Sequence, residues 1–193
     1  MIPVPPGRTL PSVAIGDAVF GRLWALDPAR DADWDALYAD QLPRVYNFFR
    51  YRVGDGAVAE DLTSQTFEKA WAARHRYRRN LASFPTWLMT IARNLATDHY
   101  RRRREHVSLD AVGELAAGES PDDAFTRREE FAQLSRLLAT LPERDRELIA
   151  MKYGAGLTNR AIARLAHLSE TNVGSILHRA VQKLRAGWEH EGA

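Results

Sequence analysis

The chain has 193 residues, 45% of them hydrophobic, and its 27 Lys and Arg nearly balance 25 Asp and Glu to a formal net charge of +2. It contains no cysteine, which excludes disulfides, thiolate metal sites and cysteine nucleophiles. No apolar run reaches the roughly 20 residues that a membrane span needs. The opening MIPVPPGRTLPS lacks the basic start and apolar core of a secretory signal. We therefore expect a cytoplasmic protein with no membrane contact of its own, large enough for one or two small cores.

Residues 1–30 are rich in Pro and Gly and read as an extended N-terminal extension, with a short apolar patch at Val19, Phe20, Leu23 and Trp24. From residue 31 the period becomes helical. Trp34, Leu37, Tyr38, Leu42, Val45, Phe48 and Phe49 recur at steps of three and four. VGDG at 53–56 breaks the chain, and a second helix follows with Leu62, Phe67, Ala70 and Trp71 inward. The basic stretch RHRYRRN leads into a third helix, FPTWLMTIARNLATDHYRRRRE, over 84–105. Residues 105–125 carry six acids and no Lys or Arg, with Gly, Ser and Pro between them, and read as an acidic flexible linker. Helical period resumes near Thr126 and continues through 126–193. With no period-two pattern anywhere, the fold class is all-α: two small helical domains, 31–104 and 126–193, joined by the acidic linker.

Net charge hides an uneven distribution. Between 74 and 104 lie nine arginines and one acid, Asp98. The third helix sorts Trp87, Leu88, Ile91, Ala92 and Leu95 to one side, and Thr90, Asn94, Thr97, Asp98 and Arg101 to the other. Beside them stand Tyr77, Phe84 and Trp87. Cations that grip phosphates next to aromatics that stack on unpaired bases have the make-up of a nucleic-acid site. The apolar start of the helix also packs against its own domain, and the arginine run also suits a helix C-terminus by its dipole.

Residues 157–185 predict a helix-turn-helix. Thr158 is placed to cap a short helix holding Ala161, Ile162 and Leu165; AHLS turns; Ser169 is placed to cap a second helix. Val173, Leu177, Ala180 and Leu184 form its buried stripe, and Thr171, Asn172, Ser175, His178, Arg179, Gln182 and Lys183 its outer face. Short polar residues at the helix start and cations further along suit a major-groove reader. Gly174 has two readings, close approach to DNA or simple tolerance near a helix start. The six histidines are scattered; His99 and His106 are seven apart, with the second expected beyond the helix end. No histidine–carboxylate set has metal-ligand spacing, and no phosphate loop or nucleophile elbow occurs. We expect no metal, no cofactor and no catalysis by the chain itself.

Three motifs in order resemble the bacterial RNA polymerase sigma factors of the sigma-70 family, extracytoplasmic-function (ECF) group, over about residues 33–188. AEDLTSQTFEKAW resembles the segment that docks on core polymerase; the resemblance assigns Asp61, Leu62, Gln65, Phe67 and Trp71 to it, with Ser64-Gln65 where the family usually has Gln-Glu. The third helix resembles the one that recognises the −10 promoter element, which implies Tyr77, Trp87, Thr90, Asn94, Asp98, Arg101 and Arg102 as DNA-binding residues. LPERDRELIAMKYGAGLTNRAIARLAHLSETNVGSILHRAVQKLR resembles the −35-reading domain, which implies Arg160, Thr171, Asn172, Ser175, His178, Arg179 and Lys183. The family commonly has Gly where His167 stands, and two cations of its reading helix are missing here. The partners implied are core RNA polymerase, promoter DNA in duplex and opened non-template form, and an anti-sigma protein. A helix-turn-helix regulator without polymerase docking, and a helical adaptor for a protein partner, stay open at this point.

Overall fold

The computed structural model describes residues 32–78, 80–107 and 123–191. Among these residues every regular element is helical: α1 Ala32–Val53, α2 Gly56–Ala72, a 3-10 turn at Arg74–Arg76, α3 Phe84–Val107, α4 Asp123–Ala139, α5 Glu143–Ile149, α6 Asn159–Ala166 and α7 Glu170–Glu191. A π-turn, Ala150–Gly154, continues α5. The N-terminal extension and the centre of the expected linker lie outside the described residues. The helices encroach on that linker from both sides. α3 runs through Val107, so position 106 is helical rather than beyond the end, and α4 begins at Asp123, three residues before Thr126.

The VGDG break has a simple cause. Gly54 takes a left-handed φ of 81° and ends α1 with its N–H on the Arg50 carbonyl at 3.0 Å. Asp55 then caps α2, its Oδ1 accepting from the Val58 N–H at 2.9 Å. α1, α2 and α3 pack as a three-helix bundle around Val45, Phe48, Phe49, Leu62, Phe67, Leu88 and Ala92. Thr63 and Thr66 are buried in it with their hydroxyls satisfied, donating to the carbonyls of Ala59 and Leu62 at 2.6 and 2.7 Å. α3 buries more than one side of the expected pattern, since Met89 and Ala96 are also enclosed.

In the second domain α4, α5 and α6 pack on α7. Thr158 caps α6 (Ala161 N to Thr158 Oγ1, 3.2 Å) and Ser169 caps α7 (Asn172 N to Ser169 Oγ, 3.1 Å). Between them His167 adopts φ 55°, ψ 47°. That left-handed conformation costs a side chain about 1–2 kcal/mol and costs glycine little, so the turn would suit glycine better than the histidine it carries. The stripe Val173, Leu177, Ala180 and Leu184 is buried, joined by Ile176.

The two domains share one continuous core. α1 lies directly against the π-turn, and a Cβ on Gly154 would stand 2.8 Å from the Asn47 carbonyl oxygen. Only a hydrogen fits between these backbones. Across the same seam Arg52 pairs with Glu143 at 3.0 Å, and Arg93 pairs with Glu147 through two bonds, Nε to Oε1 at 2.9 Å and Nη2 to Oε2 at 3.2 Å. Tyr100 donates its hydroxyl to the Arg52 carbonyl and lies under the Arg52 guanidinium at 4.5 Å.

Candidate nucleic-acid interface

α3 carries a polar face that stays open. Thr90, Asn94, Thr97 and Arg101 are exposed along it, with Asp98 at its margin. The Thr90 and Thr97 hydroxyls donate to the carbonyls of Thr86 and Arg93, both at 3.0 Å. Their lone pairs remain available, and the Asn94 amide has no hydrogen-bond partner among the described residues. Arg101 is held by Asp98 at 3.3 Å in an exposed pair, a weak tie in water. Arg102 and Arg103 are exposed and continue the cationic end.

At the other end of the face an aromatic wall joins α3 to the loop before it. Trp87 lies 5.2 Å from Tyr77 and 5.6 Å from Phe84, and Phe84 stands edge-on to Trp34 at 5.3 Å. Phe84 is buried and anchors the wall; Tyr77 and Trp87 are half-buried, so each presents part of a ring outward. Leu81 projects from the same loop at 76% exposure, flanked by exposed Arg78 and Asn80. Sequence periodicity could not single out Leu81, because a loop has no face to assign. The wall therefore supplies stacking surface, and the face beyond it supplies hydrogen-bonding groups and then cations.

His99 sits where α3 meets α2. Burial lowers its pKa below the usual 6.5; Arg103 and Arg102 push the same way, while Asp61 and Asp55 oppose them. The unfolded chain therefore binds a proton near pH 6.5 that the folded chain does not yet accept. Stability is expected to fall as the pH drops from about 7 through that value toward the lower folded pKa, and His99→Gln should flatten this part of the profile. Thermal midpoints of both proteins between pH 7.5 and 5.5 would check it; parallel profiles would refute it.

The segment expected to dock on core polymerase lies on α2. Asp61 is exposed and accepts from Gln65 Nε2 at 2.7 Å. Leu62 and Phe67 are core residues at 4% and 5% exposure, so they hold the helix rather than touch a partner in this conformation. Trp71 is half-buried, edge-on to Trp34 at 5.4 Å, with the Arg74 guanidinium 4.2 Å over its ring.

On α7 all of Thr171, Asn172, Ser175, His178, Arg179, Gln182 and Lys183 are exposed, as the pattern requires. Two of the expected contacts are already engaged. Lys183 Nζ donates to the Thr140 carbonyl at 3.0 Å, just past the end of α4, and Arg160 pairs with Glu170 at 3.6 Å. Gly174 is not required by intramolecular packing: a Cβ there would meet only Asn159 Nδ2, at 3.8 Å.

Comparison with known proteins agrees with this geometry. Residues 37–106 match Sigma-70 region 2 and residues 131–184 match Sigma-70, region 4. The ECF RNA polymerase sigma factor BldN of Streptomyces coelicolor is 32% identical over 81% of this chain, which spans 61% of BldN. The ECF RNA polymerase sigma factor SigM of Bacillus subtilis is 30% identical over 79% of this chain and 93% of SigM. Among solved structures, the sigma factor RpoE of Bartonella quintana, determined in complex with the anti-sigma factor NepR, aligns over 81% of this chain and 97% of its own with a TM-score of 0.67 at 23% identity, a likeness of fold. The α3 face and the α6–α7 helix-turn-helix thus lie in regions 2 and 4 of an initiation factor, and the chain belongs to the sigma-70 family of RNA polymerase sigma factors, in the ECF group.

Proposed function

We propose that this sigma factor divides its work among the three surfaces described. The exposed side of α2 around Asp61 and Gln65, with Trp71 at its end, meets core polymerase, while Leu62 and Phe67 support it from within. α7 reads the −35 element in duplex DNA through Thr171, Asn172, Ser175 and His178 at base edges. Arg179 serves as a phosphate ligand beside them. The α3 face captures the non-template strand of the −10 element as it opens. Domain limits near 31–104 and 126–193 follow this division. The protein works in the cytoplasm, supplies no catalysis of its own, and is restrained by an anti-sigma protein, as the RpoE–NepR complex suggests for a protein of this fold.

The observation that carries the reading is the order of chemistry along α3 and the loop before it: half-exposed Tyr77 and Trp87, then the unpartnered Asn94, then Arg101 to Arg103. Opening a duplex costs pairing and stacking energy. A site offering stacking, amide hydrogen bonds and phosphate contacts to one strand offsets that cost. Transcription in vitro from a native promoter, with core polymerase and with or without the protein, tests the whole. A single start site that appears only when both are present is expected; promoter binding without polymerase and no specific start with it would favour an independent regulator. Arg179→Ala should weaken promoter binding across sequences and reduce the salt slope by about 1.

A further inference from the structure

Among the described residues, Arg93 is the one cation of the α3 basic group that the second domain holds. It precedes Asn94 and lies one turn from Thr90 and Thr97, at the edge of the open face. Its Nε and Nη2 grip the Glu147 carboxylate side-on at 2.9 and 3.2 Å, and its Nη1 donates to the Leu165 carbonyl in the last turn of α6. The pair is largely enclosed, with side-chain exposures of 24% and 13%. A planar guanidinium fork binds phosphate and carboxylate with the same two-bond geometry. The carbonyls of a helix C-terminus add negative potential of the same sign. Glu147 and the end of α6 together present to Arg93 what a nucleic-acid backbone would present.

The rest of the seam favours a closure that can be reversed. Arg52 is 3% exposed, yet its Nε and Nη1 find no hydrogen-bond partner, although Nη2 meets Glu143. Buried cationic donors left unsatisfied cost free energy. Opening the seam would give those donors back to water.

We propose that Arg93 is a further DNA-backbone ligand of the −10 helix, and that Glu147 occupies it in the closed molecule in place of a phosphate, so that strand capture and interdomain contact compete for one side chain. The proposal deepens the reading of α3 as the −10 helix and rests on it. Polymerase binding or DNA that draws the second domain away frees Arg93, which then extends the row formed by Arg101 to Arg103.

The absence of cysteine makes a clean test possible. Ala36→Cys and Ala186→Cys, both at exposed positions, carry spin labels in the full chain, and a fluorescein-labelled mixed-sequence single-stranded 20-mer serves as the DNA probe. Glu147→Gln should move the label distances to longer values and tighten binding of the probe at least threefold. Glu189→Gln, with the same change of charge at an exposed site outside the seam, should do neither. Arg93→Ala should open the molecule as well but bind at least threefold more weakly than Glu147→Gln, with a salt slope shallower by about 0.7. If Glu147→Gln disturbs folding, Glu147→Ala removes the carboxylate without adding a polar group and should give the same longer distances and tighter probe binding. Unchanged distances in Glu147→Gln, or equal DNA affinity in the opened Arg93→Ala and Glu147→Gln proteins, would overturn the proposal. Asn94→Ala with Arg101→Ala separates its failure from failure of the α3 reading. If that variant still loses strand capture, only the role of Arg93 is wrong; if it captures the strand like the parent, the α3 reading fails too.

Discussion

Phe48→Ala is expected to lower the stability of the protein by about 3–5 kcal/mol. Phe48 is fully buried in α1, packed edge-on against Phe49 at 5.2 Å, and its backbone nitrogen lies under Gly154 of the π-turn. Truncation would leave a cavity in the bundle core beside the seam where the domains meet. Against a total stability of about 5–15 kcal/mol, such a loss takes a large share. The midpoint of thermal unfolding should fall by about 10 °C or more. Gly154→Ala probes the same seam from the other side, and by excess rather than loss. Its methyl would stand 2.8–2.9 Å from the Asn47 carbonyl and the Phe48 nitrogen, all backbone atoms that cannot rotate away. Overpacking of this kind costs about 1–3 kcal/mol. It should also force α1 and the π-turn apart, so the hydrodynamic radius grows in Gly154→Ala and not in Phe48→Ala. Equal compactness of Gly154→Ala and the parent, with an unchanged melting midpoint, would show that the seam is not as tight as the backbones imply.

What sequence could and could not reveal divides along local and distant information. The α1 repeat, the VGDG break and the caps at Thr158 and Ser169 are local, since each helix announces its buried stripe by spacing and its ends by residue type. The open faces of α3 and α7 followed from the same spacing. The docking of one domain on the other did not. Arg52 and Glu143 are 91 residues apart, and Arg93 and Glu147 are 54 apart. Nothing in either neighbourhood distinguishes such arginines from others that face solvent. Arg93 counted only as one cation of a basic region. Gly154 marks a point where two backbones touch, and nothing in its sequence neighbourhood signals that contact. Lys183 has the spacing of a phosphate ligand but reaches the end of α4; that choice depends on where α4 ends in space.

The placement of the open faces of α3 and α7 follows from this docking. α6 lies between α3 and α7, touching both. The helix-turn-helix proposed to read the −35 element therefore also holds the edge of the α3 face proposed for the −10 element, through Arg93 and the Leu165 carbonyl. On the proposed division of work, a promoter that engages both elements would draw apart surfaces that this conformation keeps side by side. Seam residues are then under two demands, and the unsatisfied donors of Arg52 fit a contact adjusted for release rather than for maximal strength.

Substitutions on the open face of α3 should act on strand opening and leave polymerase binding alone. Asn94→Ala with Arg101→Ala is expected to reduce open-complex formation about tenfold or more, since each 1.4 kcal/mol of lost interaction is a factor of ten. Neither side chain supports the core: Asn94 has no hydrogen-bond partner among the described residues, and Arg101 meets only the exposed Asp98. Removing Arg101 also frees the Asp98 carboxylate, which adds repulsion toward a phosphate. Trp87→Ala should cost about 1–3 kcal/mol if a base stacks on its exposed part, with an added loss of stability because the ring also packs on Phe84. Trp87→Phe separates the two effects by keeping an aromatic face and most of the packing. Permanganate reactivity of unpaired thymines measures opening, and competition for core polymerase measures docking, which the proposed division gives to α2. Parallel losses in both assays would mean that the variants are misfolded or that α3 itself docks on polymerase. Normal opening by all three variants would remove α3 from strand capture.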